Sequence, residues 1–380
     1  MDVVKLLQEL IKIPSLAKEE KEIADFLGKE FKKYCVESWV DNLNNVVGII
    51  EGKNEGPIIM FNAHIDHANI GEMEEPFSGK IISGEKWGED GEVVYGRGAC
   101  DNKGAVASMT SALAELSENN NFNGKLIMTA VALEETGDGI GTIRVLNDLK
   151  EKNITPDIVL NGEATDLDIC LGHRGKLEFL LNTFGVTAHS SNPDNGINAI
   201  ILMKKFIDEW EKKKLPVHEI LGKCTSSITN IKCKPGKPFI IPDVCTLNFD
   251  RRYLPEENPE EVKNEVLEVL KRLSDDDKTF KYNLEIIQKM DAFLTPKNNP
   301  FIKPLSQSIK NNYKEPNLRG WLFGTDGPFI VNGFGIPTIG FGPGQEIFAH
   351  TYNDHVSIKQ LEISKEVYKE FVMNAGKINV

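Results

Sequence analysis

PIIMFNAHID, residues 57–66, reads as a buried strand that ends on chemistry. Ile58 to Phe61 form a short apolar run behind a proline, as in a strand covered on both faces. His64 and Asp66 follow at a spacing of two, so on an extended chain they share one face. An imidazole there can bind a cation, with the carboxylate holding its second nitrogen and fixing the tautomer.

The surroundings repeat this pattern. NVVGII (45–50), KLIMTAVAL (125–133) and DIVLNG (157–162) also read as buried strands. They alternate with helical patterns at Val3–Ile13, Glu19–Tyr34, GAVASMTSALAEL (104–116) and TIRVLNDLK (142–150). That alternation predicts an α/β sheet covered on both faces, whose ligands gather beyond the carboxyl ends of its strands. Glu134 and Glu135 end one strand and Glu163 ends another. Asp101 in GRGACDNKG precedes a helix, and His350 in AHTYND follows a glycine turn after the strand PTIGFGPG (337–344).

His64, Asp101, Glu135, Glu163 and His350 amount to two imidazoles and three carboxylates. They suffice for two divalent cations if one carboxylate is shared. Such donors suit Zn²⁺ and, less selectively, Co²⁺ or Mn²⁺. Neighbouring residues on a regular strand face oppositely, so Glu134 and Glu135 divide naturally into one ligand and one general base.

Near residue 175 the pattern changes. KLEFLLNTFGV (176–186) reads as a strand, and GINAIILMKKFIDEW (196–210) as a helix with a stripe of Ile200, Met203, Ile207 and Trp210. Two strands follow, TSSITNIK (225–232) and VCTLNFDRRY (244–253). A helix PEEVKNEVLEVLKRL (259–273), with Asn258 as N-cap and Pro259 at its first position, precedes a last strand, YNLEIIQKM (282–290). The order β-α-β-β-α-β is ferredoxin-like. The expected organisation is a discontinuous catalytic domain, 1–174 with 293–380, and an inserted α+β domain, 175–292. A helix at FIKPLSQSIKNNY (301–313) and a C-terminal helix complete the reading.

Composition narrows the function classes. A chain of 380 residues with 40% hydrophobic and 27% charged residues is an ordinary globular composition. Its formal net charge of −13 argues against a nucleic-acid or anionic-membrane partner. The start MDVVKLLQELIKIPS lacks the features of a signal peptide, and no run approaches a membrane span, so a cytoplasmic location is expected. The six cysteines form no C-x-x-C pair and read as free thiols, Cys100 as a small buried residue.

These motifs resemble those of the M20 family of metallopeptidases and deacylases, along residues 1 to about 375. AHID, GRGACDNKGAVASM, EETGD, NGEATD and GPGQEIFAHTYND are similar to its successive metal-site motifs. DRRYLP and IGFGPGQEIFAH look closer to the ArgE/DapE-like branch that includes the YgeY-type proteins.

The resemblance implies a zinc-peptidase-like catalytic domain and an inserted ferredoxin-like lid or dimerisation domain. It implies that His64 and Glu163 hold one metal, Glu135 and His350 the other, and that Asp101 bridges. Glu134 would be the general base and Asp66 would orient His64. TAHSSNPDNGINA (187–199) is similar to the lid motif whose histidine, here His189, reaches a partner subunit's site. Asn230, Arg252 (with Arg251 competing), Gly324 and Thr325 match substrate-contacting positions.

Three departures stand out. Asp354 replaces the usual glutamate, and this shorter carboxylate is expected to reach its partner less well. Ala164 stands where proline is usual, and Ala63 where glycine is. His67 and His355 read as surface or outer residues near the site. The implied activity is hydrolysis of an amide in a small N-acyl amino acid or dipeptide carrying a carboxylate, by a homodimer. The competing reading is a catalytically silent metal-binding or assembly protein on the same fold.

Overall fold

The computed structural model describes residues 1–378. The chain divides into two compact units, residues 1–172 with those from 294 onward, and residues 173–293.

The first unit is built on a mixed sheet. Among the described residues nine strands form it, and seven of them run side by side in the order Glu37–Val40, Val46–Glu51, Asn123–Val131, Asn54–His64, Ile158–Asn161, Thr338–Gly340 and Ile169–His173. The four from Asn123–Val131 through Thr338–Gly340 are parallel, and strands that pair antiparallel flank them. Alternate residues of the strand opened by Pro57 face opposite layers, which explains its unbroken apolar run. Met60 packs in a cluster with Val145, Leu146 and Leu149 of the helix Ile140–Glu151 and Ile330 of Gly327–Phe334. Phe61 meets Tyr368 of the helix Ile358–Ala375, ring centroids 5.2 Å apart. The chain's first helix, Val3–Lys12, is capped by Asp2, whose carboxylate accepts from Val4 N and Lys5 N at 3.1 Å each.

A small antiparallel sheet of Lys80–Ser83, Glu92–Tyr95 and His355–Ser357 has no counterpart in the sequence reading. Its strands are only three or four residues long, too short to show a period.

The second unit is a four-stranded antiparallel sheet in the order Ser226–Lys234, Val244–Tyr253, Gly175–Phe184, Lys281–Met290. With the helices Ala199–Trp210 and Pro259–Asp276 this is the ferredoxin-like arrangement. Asn258 caps the second helix by accepting from Glu260 N at 2.9 Å, with Pro259 at its start.

One helix face needs correction. Ala199, Leu202, Met203, Phe206 and Trp210 are the buried residues of the first helix, whereas Ile200 is 39% exposed and Ile207 only partly buried. The buried set keeps the i, i+3, i+4, i+7 spacing but is turned by about one residue, because small Ala199 takes the first inward position.

Among the described residues no helix is long and apolar enough to cross a membrane.

Candidate metal centre

The parallel strands deliver their residues to one end of the sheet. His64 closes its strand, and Glu163 follows two residues after Asn161. Beyond Val131 the backbone turns at Leu133 (φ 66°) into a short 3₁₀ turn, Glu134–Thr136. The loop after Thr338–Gly340 brings in His350, itself at φ 59°. Asp101 lies in the turn before the helix Gly104–Asn119, joined to Asn102 by a cis peptide.

Asp101 stands between the two imidazoles. Its Oδ1 is 2.9 Å from His64 Nε2 and its Oδ2 is 3.2 Å from His350 Nε2. His350 Nε2 also lies 3.0 Å from Glu135 Oε1. His64 Nε2 is 3.9 Å from Glu163 Oε2 and 4.0 Å from Glu134 Oε2. Donor atoms of His64, Asp101 and Glu135 all lie within 4.8 Å of one another.

On its other side His64 Nδ1 donates to the Asp66 carbonyl at 3.0 Å and lies 3.3 Å from Asp66 Oδ1. Nδ1 therefore carries the proton, which leaves Nε2 facing the carboxylates. Asp66 does more than touch His64. Its two oxygens accept from the backbone of the next loop, Oδ1 from Glu134 N at 3.3 Å and Oδ2 from Glu135 N at 3.0 Å.

Charge in this cleft is out of balance. Two carboxylates 4 Å apart repel by about 4 kcal/mol at an effective dielectric near 20. Burial pushes Glu134 and Glu163 well above the usual carboxylate range; His64 opposes this, and neighbouring acids including Asp326 add to it. Burial works against a charged His64, yet the Asp101 and Asp66 carboxylates hold it well above its ordinary value. Asp101 and Glu135 likewise lift His350 to about 10. The positive charge facing Asp101, Glu135 and Glu163 thus comes from imidazolium protons, which a divalent cation would displace. Donor chemistry and charge both fit cations.

Several expectations change. Asp354 reaches its partners fully, accepting from Gly98 N at 2.7 Å, Cys100 N at 2.8 Å and Arg97 Nη1 at 3.2 Å. It holds the turn that carries Asp101, so the shorter side chain serves a partner that approaches as backbone. Of the two readings of His67 and His355, surface or outer residues near the site, burial removes the first. His67 Nε2 accepts from Ser15 N at 3.0 Å, and His355 stacks on Trp87 with centroids 4.2 Å apart. Cys100 is buried as expected, and Ala164 is buried with its carbonyl accepting from Trp321 Nε1 at 3.2 Å.

Gly324 and Thr325 lie in the same unit as the metal residues, Thr325 buried with its Oγ1 accepting from Gly327 N at 3.1 Å. His189, Asn230 and Arg252 belong to the second unit. His189 is exposed, its Nδ1 2.7 Å from Ser191 Oγ, and Asn230 is exposed on its strand. Arg251 is buried and paired with Glu257 at 2.6 Å, while the half-buried Arg252 pairs with Asp250 at 2.8 Å.

Asp326 escaped the sequence reading. It is buried, accepts from Thr142 Oγ1 at 2.5 Å, and burial lifts its carboxyl to about 6. Its place beside the Gly324–Thr325 pair was the one available signal.

Fold and donor set together define a metal-dependent hydrolase. The chain belongs to peptidase family M20/M25/M40, whose model matches residues 60–374. It is 27% identical over 375 residues to the Escherichia coli K12 protein YgeY, covering 93% of this chain and 89% of that one. A tripeptidase structure from Staphylococcus aureus subsp. aureus Mu50 is similar, with TM-score 0.80, 21% identity, and 99% and 98% of the two chains covered. So is the aminopeptidase PepT of Bacillus cereus ATCC 10987, with TM-score 0.78, 20% identity, and 99% and 98% covered.

Asp66 links His64 to both glutamate amides, so Asp66→Ala is expected to weaken cation binding by roughly 10–100-fold. Competition with a chromophoric chelator measures this; parent affinity in the variant would remove Asp66 from the site.

Proposed function

We propose that the protein hydrolyses an amide bond in a small peptide or N-acyl amino acid bearing a free carboxylate, using two divalent cations. The observation that carries this is Asp101, with one oxygen toward His64 at 2.9 Å and the other toward His350 at 3.2 Å. His64 and Glu163 would hold one ion and Glu135 and His350 the other, with Asp101 shared. Zn²⁺ is the first choice for this donor set, Co²⁺ or Mn²⁺ the alternatives. When bound, the ions would acidify a water molecule and polarise the scissile carbonyl.

The chain's own residues supply the rest. Glu134 takes the proton from the attacking water and returns it to the leaving amine. Its carboxylate lies 4.0 Å from His64 Nε2, and its amide is pinned by Asp66. Asp66 keeps the His64 proton on Nδ1 throughout. His189, reaching a partner subunit's site, would donate to the developing oxyanion. Arg252, rather than the locked Arg251, would receive the substrate carboxylate, and Asn230, Gly324 and Thr325 are further candidate substrate contacts.

Structural similarity to a tripeptidase and an aminopeptidase favours a peptide over an N-acyl amino acid. The intact base and ligand set speak against a silent binding protein. A cytoplasmic location accords with six free thiols.

A homodimer formed through the second unit completes the reading. Ser226–Lys234 ends its sheet, and Ile231 on it is 52% exposed, as is Ile201 (51%) on the neighbouring helix.

Glu134→Gln is expected to lower turnover of the best substrate by at least about 100-fold while cation content stays at the parent level. A panel of tripeptides, dipeptides and acetyl and succinyl amino acids, assayed with Zn²⁺, Co²⁺ or Mn²⁺, supplies the substrate. Full activity in the variant would rule out Glu134 as base. Sedimentation equilibrium should give twice the 42.4 kDa chain mass and a monomer for Ile201→Asp with Ile231→Lys; a monomeric parent would contradict the dimer.

A further inference from the structure

Residues 10–20, the end of the helix Val3–Lys12 and its link to the helix Lys21–Tyr34, bond to three of the loops that carry the metal-site residues. Lys103, two residues past Asp101, donates its Nζ to the Leu10 carbonyl at 3.0 Å and the Ile13 carbonyl at 2.7 Å. Ser15 brackets Asp66 from both sides. Its Oγ donates to the Ile65 carbonyl at 2.6 Å, its amide donates to His67 Nε2 at 3.0 Å, and its carbonyl accepts from His67 N at 3.0 Å. Glu20 Oε1 accepts from Leu133 N, just before Glu134, at 3.2 Å, and from Lys18 N at 2.9 Å.

These loops lie past the strand ends; beyond the bond from Ile65 N to the Val131 carbonyl, 2.8 Å, the loop after His64 is held by an isolated parallel bridge between Leu16 and His67. Ser15, Glu20 and Lys103 are all buried, at 0%, 1% and 0% exposure. Burying Lys and Glu side chains is costly unless both are well bonded. Capping the first helix would not need all three, and it would not need Glu20 to reach Leu133. Burial also pushes His67 down to about 4, so a neutral ring presents Nε2 as the acceptor for Ser15 and Nδ1 as donor to the Ala68 carbonyl at 2.8 Å.

We propose that residues 10–20 form a positioning strap, anchored by Lys103, in which Ser15 and Glu20 set the Asp66 carboxylate and the Glu134–Glu135 turn against Asp101. Cation affinity then depends on side chains that bind no cation. The route is continuous: Ser15 fixes Ile65 and His67, these fix Asp66, and Asp66 holds His64 Nδ1 and the amides of Glu134 and Glu135. Glu20 holds the same glutamate turn from its other end. This inference rests on the metal-hydrolase reading above.

The test uses Ser15→Ala, Glu20→Leu and the conservative Glu20→Gln, which keeps an acceptor oxygen. Co²⁺ affinity by chelator competition and the Co²⁺ visible spectrum are read beside amide hydrogen exchange of the metal-free proteins. Ser15→Ala and Glu20→Leu should bind Co²⁺ roughly 10–100-fold more weakly with an altered spectrum, and Glu20→Gln should stay near the parent. Exchange in peptides covering 132–139 should quicken in the two damaging variants, while the strand at 125–131 keeps its protection.

Parent-like Co²⁺ affinity and unchanged exchange at 132–139, with only a lower unfolding midpoint, would overturn the strap. If Glu20→Leu does not fold, Ser15→Ala decides. If the parent itself takes up no Co²⁺, the metal-hydrolase reading fails and the exchange arm alone judges the strap.

Discussion

Everything at the carboxyl end of the sheet answers to one constraint: several carboxylates are buried together and cannot all stay ionised without a compensating positive charge. Asp101 and Glu135 present oxygens within 4.8 Å of each other, and like charges that close repel by about 3 kcal/mol at an effective dielectric near 20, a large fraction of a domain's net stability. Two imidazoles face these carboxylates through contacts of 2.9 to 3.2 Å around Asp101. Cations would compensate the charge better, because each carries two charges and accepts several donors at once. The fold keeps the arrangement from relaxing. Four adjacent parallel strands deliver the loops, and Asp66 and Asp354 spend their carboxylates on backbone amides rather than on ions.

Much of this was legible in the sequence, for physical reasons. The strands at 57–66, 125–133 and 157–162 are buried on both faces, so they show as unbroken apolar runs, and the residues at their ends stand out as polar. The inserted unit was legible because its helices and strands are long enough to display their periods. Asn258–Pro259 announced a helix start that the structure realises. The resemblance adds only an implication that Glu134 is the base and Glu135 the ligand, a choice that strand alternation alone leaves open.

What escaped was whatever depends on backbone meeting side chain across long chain separations. Asp354 looked too short for its partner, yet the Gly98 and Cys100 amides and Arg97 Nη1 all come within its reach. His67 looked peripheral because nothing in its neighbourhood along the chain predicts that Ser15 packs against it. Asp326 sat inside a motif already noted, yet its burial beside Thr142 follows only from the fold. The helix stripe at 199–210 was misread by about one residue because alanine carries little weight in a hydrophobic pattern, although it occupies an inward position.

The most direct measurement is a titration of the metal-free protein with Zn²⁺ near neutral pH, counting both ions bound and protons released. The imidazolium of His350, held to about 10, and that of His64 must lose their protons as ions enter, so binding strengthens as pH rises. The expected result is two ions per chain, bound with net proton release and more weakly at lower pH. One ion or none, or binding without proton release, would contradict a paired-cation centre built around Asp101.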